Sequence, residues 1–150
     1  MRGNTRYAGV AAAVVGLVLG AAGAIPAVAA RPAARAVRPP GVLVWRVTAL
    51  DARGHSASVF RAGSTIQLRI QWIVRNVAPG THQTTTWTVM YAGKEMLRVT
   101  RTSVARNGNW SRSTTVRITR TPNVGTHIFW GRVSVGSASS ARSMAFTVQR

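Results

Sequence analysis

Residues 65–75 read TIQLRIQWIVR. Ile66, Leu68, Ile70, Trp72 and Val74 are apolar at every second position, with Gln67, Arg69, Gln71, Ile73 and Arg75 between them. A repeat of two is the period of a β-strand, whose successive side chains point to opposite faces. On a helix the same five residues would scatter around the circumference instead of forming a stripe. The segment is therefore a strand with one face in a core and the other in water.

The same alternation extends along the chain from Gly41. Short runs rich in Val, Ile, Thr and Trp, cut by Gly, Pro and Asn, predict strands over 42–50, 65–75, 84–91, 95–105, 110–120, 126–136 and 142–149. Parity then assigns faces. Trp87, Val89 and Tyr91 point inward, and Thr86, Thr88 and Met90 outward. Val116 and Ile118 point in, leaving Thr115, Arg117 and Thr119 outside. In HIFWGRVSV (127–135), Phe129, Gly131, Val133 and Val135 continue the inward set, so Ile128, Trp130 and Arg132 face water. Met144, Phe146 and Val148 point in from the last strand, and in the first strand Trp45, Val47 and Ala49 are expected inward with Arg46 and Thr48 outward. Asn107-Gly108 is a hairpin signal, because both residue types tolerate positive φ, and Gly93-Lys94 marks a second hairpin turn. The breakers at 76–80 and 121–125 suit connections that cross between sheets. Seven strands in the roughly 110 residues of 41–150 predict an all-β, two-sheet antiparallel sandwich.

The residues upstream have a different character. Arg2 and Arg6 precede an uncharged apolar run from Ala8 to Ile25, and Ala27-Val28-Ala29 fits the small-x-small cleavage rule. Residues 1–29 are read as a secretory signal peptide. Left uncleaved, the run is long enough to anchor the chain in a bilayer, the one membrane contact expected here. Residues 30–40, ending RPAARAVRPP, form a basic Pro-rich linker biased toward extended polyproline II. The predicted location is secreted and extracellular, with an N-terminal membrane anchor as the alternative.

Charge narrows the partners. The chain carries 20 Lys+Arg against 2 Asp+Glu, a formal net charge of +18, and Lys94 is its one lysine. Such a chain repels itself and is drawn to polyanions. It has no cysteine. That excludes disulfides, a thiol nucleophile and zinc–thiolate sites, so the core alone must hold the fold.

Three stretches carry a family resemblance. FRAGSTIQLRIQWIVRN (60–76) is similar to the turn and long strand that open bacterial immunoglobulin-like and fibronectin-III-like modules. TTTWTVMYAGKE (84–95) puts Trp87 in the third strand, the place of the core Trp of immunoglobulin folds, and GTHIFWGRVSVGSASSARSMAFTV (125–148) resembles the final two strands. The inter-sheet cysteine pair of that family is absent, and His127 stands where an aromatic often begins the penultimate strand. The resemblance implies an immunoglobulin-like sandwich in an extracellular setting, where such modules serve adhesion, spacing, carbohydrate binding or display. Fold does not choose among these.

Two surfaces are candidate sites. Arg46, Arg69, Arg75 and Arg117, set among Thr and Gln, would form a polyanion-binding face on one sheet. Met90, Ile128, Trp130 and Arg132 would form an apolar and aromatic patch on the other, suited to a glycan ring or a protein partner. Outward arginines also block edge-to-edge pairing, and an exposed Trp beside an Arg can simply stack with it. Sequence-specific nucleic-acid recognition is not expected, since no helix is predicted in the exported domain. Catalysis is not expected either. Asp51 and Glu95 are the only side-chain carboxylates, both in turn-like contexts, and His55, His82 and His127 are scattered without the carboxylates a metal site needs. No cofactor or metal is predicted. The leading expectation is a secreted non-catalytic interaction module that associates with an anionic polymer or cell-envelope component through its basic surface. The alternative is a structural or carbohydrate-binding module using the patch around Trp130.

Overall fold

A computed structural model describes residues 38–119 and 123–150. The predicted signal peptide and residues 30–37 of the linker lie outside the described residues.

The described chain is all β. Its strands are β1 (Gly41–Leu50), β2 (Val59–Arg61), β3 (Thr65–Arg75), β4 (His82–Tyr91), β5 (Lys94–Val104), β6 (Gly108–Arg117), β7 (Gly125–Val135) and β8 (Ala138–Gln149). They form a three-stranded sheet, β1-β3-β6, and a five-stranded sheet, β2-β8-β7-β4-β5. All pairings are antiparallel except the short β2, which runs parallel to the end of β8.

β3 forms because its apolar stripe has somewhere to go. Ile66, Leu68, Ile70, Trp72 and Val74 are all buried, and the core facing them holds Trp87, Val89, Phe129, Val133, Val135, Phe146 and Val148. The two sheets pack tightly at Gly131 on β7. A Cβ there would meet Ile70 Cγ1 and Val47 Cγ1 at 2.7 Å, so glycine is required by proximity, not by its backbone angles. Two buried indoles satisfy their N–H groups across the sheets. Trp87 Nε1 donates to the Leu68 carbonyl at 3.0 Å, and Trp72 Nε1 donates to Gln83 Oε1 at 3.2 Å. Gln83, itself fully buried, donates onward to Ser103 Oγ at 3.2 Å.

Several expectations need correction. Trp45 is not in the core: it is 42% exposed, and Val44 is buried in its place. The β1–β3 register slips between Val44 and Arg46, so Trp45 is the extra residue of a β-bulge and parity resets there. Downstream of the bulge Val47 and Ala49 point inward as expected, while outward-facing Thr48 is buried at 7%. Asn107-Gly108 is not a hairpin turn. β5 and β6 belong to different sheets, so this dipeptide carries the chain from one sheet to the other. The hairpin after β4 turns through Ala92 (φ 47°) and Gly93 (φ 77°), one residue earlier than expected. A further hairpin joins β7 to β8 through Gly136 and Ser137. β2 was not foreseen, and it raises the described strands to eight.

Candidate functional site

The outer face of the five-stranded sheet is laid out by register. Residues directly opposite one another on paired strands share a face. One row across the sheet reads Arg98, Thr88, Trp130, Ser143, and the next reads Thr100, Thr86, Arg132, Ala141. Met90 lies opposite Ile128 at one end. The four residues Met90, Ile128, Trp130 and Arg132 are thus brought together as expected. Trp130 is 44% exposed although its chain neighbours Phe129 and Gly131 are buried.

Trp130 and Arg132 border a shallow depression of about 680 Å³ whose other walls include Arg98, Thr86, Thr88 and Ser139. Its polar groups hold one another in place. Arg132 Nε donates to Ser139 Oγ at 3.0 Å, and Ser134 Oγ donates to the same oxygen at 3.3 Å. Thr86 and Thr100 face each other at 3.4 Å. Arg98 donates through Nε to both Glu95 oxygens, at 3.1 and 3.0 Å. That guanidinium holds the Glu95 carboxyl below its ordinary value. Arg132 thus reaches toward Ser139 of β8. Arg98 and the threonines were not among the sequence candidates. The signal was present, since Leu97 and Val99 alternate with Arg98, but the faces of that strand were not assigned.

The outer face of the three-stranded sheet carries the other four candidates. Arg75 lies opposite Gly41, Arg46 opposite Gln71, Arg69 opposite Ser113 and Arg117 opposite Thr65. From the Arg75 row to the Arg117 row is the length of β3, about 34 Å at ~3.4 Å per residue. The Arg69 guanidinium is tethered, with Nε 3.4 Å from Ser113 Oγ and a terminal nitrogen 3.3 Å from Gln67 Oε1. The loop after β1 folds beside this face, and a cleft there joins Asp51 and Arg53 to Gln67 and Thr115. Asp51 Oδ1 accepts the backbone N–H groups of Arg53 and His55, each at 2.9 Å. These bonds, that from His55 foremost, lower its pKa.

The structure does not bring the two acids together. Asp51 flanks the three-stranded sheet, and Glu95 lies on β5 opposite Met90. His127 is buried between Tyr91 and Phe146, with ring centroids 4.7 and 5.4 Å away, and its Nδ1 lies 3.1 Å from the Gly125 carbonyl. Among the described residues no group of three His, Asp or Glu side chains is placed to hold a metal ion, and no helix is long and apolar enough to cross a membrane.

No family model matches this chain, and no curated protein does. Among solved structures it is similar to a β-glucosidase from Listeria innocua, at 11% identity and a TM-score of 0.42. That match covers 69% of this chain and spans only 16% of the enzyme's.

Proposed function

We propose that this chain is a secreted, non-catalytic interaction module that associates with anionic envelope or extracellular polymers through the outer face of its three-stranded sheet. The observation that carries the reading is the placement of Arg46, Arg69, Arg75 and Arg117 on one outer face, on three strands and over about 34 Å of strand length. In a chain of net charge +18, such a face supplies phosphate- or sulfate-binding groups along a polymer's length. The immunoglobulin-like or fibronectin-III-like assignment is supported by the strand order β1-β3-β6 against β8-β7-β4-β5 and by the buried Trp87 on β4. The non-catalytic reading is supported by the separation of Asp51 from Glu95, each already engaged by local donors. Export is supported by the predicted signal peptide.

The test is binding of the exported protein to heparin across a salt series. The logarithm of affinity should fall steeply with the logarithm of salt, and the Arg69/Arg75/Arg117→Gln triple variant should flatten that slope by about 3, roughly one unit per lost contact. Elution of the unmodified protein at very low salt, or an unchanged slope in the variant, overturns the reading.

A second reading is favoured by the depression beside Trp130. A half-exposed indole among hydroxyls and two arginines is the equipment of a carbohydrate site, where the ring stacks on a sugar and the hydroxyls fix its orientation. It predicts a glycan-array signal that survives salt and disappears in Trp130→Ala. A signal equal in the two proteins rejects it.

A further inference from the structure

The outer face of the five-stranded sheet carries an arginine and an indole away from its edges. Outward arginines commonly guard sheet edges against pairing with other chains. β7 is the middle strand of the order β2-β8-β7-β4-β5, so Arg132 and Trp130 guard no edge. Both line one depression, together with Arg98, Ser134 and Ser139. Along β7, from Trp130 to the Ser134–Ser139 pair is four residues, about 14 Å at ~3.4 Å per residue. That length takes two sugar rings in line, and the volume of about 680 Å³ is that of a small-ligand site.

The walls of this depression are rich in donors. Arg132 spends its Nε on Ser139 Oγ, and among the described residues its two terminal nitrogens have no acceptor. Ser139 Oγ accepts from both Arg132 and Ser134, which fills its lone pairs and leaves its own O–H to donate. Arg98 is balanced by Glu95. Among the described residues Arg132 has no carboxylate partner, since the other acid, Asp51, pairs with His55. No carboxylate, amide or imidazole of the described residues lines the depression. A neutral sugar brings a donor with every hydroxyl and would find only side-chain hydroxyls to accept from it. A carboxylate brings acceptors alone, and one such group matches one uncompensated guanidinium.

We propose that the depression beside Trp130 selects an acidic glycan. One sugar ring stacks on Trp130, and the carboxylate of an adjoining hexuronic acid is held by the terminal nitrogens of Arg132 and the Ser139 hydroxyl. The inference rests on the carbohydrate reading of this site and names its ligand class. A guanidinium fork takes a carboxylate through two parallel, charge-assisted hydrogen bonds. The bond to Ser139 already orients the arginine, so less side-chain freedom is lost when the acid docks. A short acidic sugar carries no condensed counterions. Its binding therefore depends on salt only shallowly, unlike that of a polymer on the arginine face of the other sheet.

The test is a titration of the full exported protein with a disaccharide of one hexuronic acid and one neutral hexose. Two analogues are titrated beside it, one with the carboxyl reduced to an alcohol and one with a sulfate ester in its place. Calorimetry should give about one site for the acid and at least ~10-fold weaker binding of the reduced analogue, as loss of a charge-assisted bond implies. In nitrogen–proton spectra the acid should move the indole signal of Trp130 and the Nε signal of Arg132. Arg132→Gln should erase the preference by bringing the two affinities together, and Trp130→Ala should abolish binding of both. The proposal is overturned if the acid gives no saturable heat, or if either analogue binds as tightly as the acid. It is equally overturned if the preference survives Arg132→Gln, or if the signals that move belong to Arg46, Arg69, Arg75 and Arg117. In each of these cases a glycan-array signal that needs Trp130 keeps the carbohydrate reading, whereas a silent array rejects both.

Discussion

Phe129 and Trp130 are neighbours in the chain with opposite fates, one fully buried and one 44% exposed. Phe129→Ala should therefore cost about 3–5 kcal/mol of unfolding free energy, as large core truncations do. Trp130→Ala should stay within about 0.5 kcal/mol, the range of ordinary surface changes. Denaturant unfolding of the two variants checks the pair, and equal losses would contradict the faces assigned to β7. Gly131 adds a second expectation. Its missing Cβ is where Ile70 and Val47 lie, so Gly131→Ala should overpack the core and cost about 1–3 kcal/mol, seen as a fall in melting temperature. At this scale most of the molecule was legible. Alternation placed Ile66 through Val74, Phe129, Gly131, Val133, Phe146 and Val148 inward and Trp130 outward, because a pleated strand has only two faces. Trp45 was not legible. Parity holds only within an unbroken register, and nothing in GVLVWRVTAL marks where an extra residue enters the ladder. Gln83 and Thr85 were hidden for another reason. Polar residues look outward in a pattern, and Gln83 is buried because it serves the Trp72 indole from a neighbouring sheet.

Between elements, local turn chemistry competed with tertiary pairing. A two-residue hairpin of the favoured kind needs positive φ at both central positions. Ala92 and Gly93 meet that requirement, although alanine is a costly choice in the left-handed region. Ala92→Gly should relieve that strain and stabilise the domain by about 0.5–1 kcal/mol, readable as a higher denaturant midpoint with an unchanged slope. A loss of stability would mean that the β4–β5 turn is not held in this form. At 107–108 only Gly108 has positive φ. Asn107 is instead engaged at a distance, where its Oδ1 accepts the Val77 N–H at 3.0 Å. Ala105 N–H donates to the Thr81 carbonyl at 2.7 Å, so two connections at one pole of the sandwich brace each other. A dipeptide cannot announce such a partner, and this is why the hairpin signal there misled. β2 escaped notice because three residues carry no period, and its pairing with β8 is set by tertiary contact alone.

On the scale of the whole domain, arginines lie on the outer faces of both sheets, with Arg46, Arg69, Arg75 and Arg117 on one and Arg98 and Arg132 on the other, and of these only Arg98 was not foreseen. The faces of β3 were legible, but which residues meet across the core, such as Ile70 and Gly131, depends on how the sheets are stacked, which alternation within one strand does not encode. Chain direction has a mechanical consequence. β1 and β8 both run from the pole of the β3–β4 connection toward the opposite pole, so Gly41 and Gln149 leave the domain at opposite ends. Val44 N–H bonds to Ser140 Oγ at 2.9 Å, and Arg142 bonds to the Trp45 carbonyl, riveting the first strand to the last. Tension applied through residues 41 and 149 would shear whole ladders at once, whereas tension between Gly41 and Ser137 would peel bonds singly. Optical-trap extension through these two attachment pairs should give a markedly higher rupture force for the first, and equal forces would disprove it. A fold wired in this way can transmit load along a line of tethered copies without coming apart at its ends.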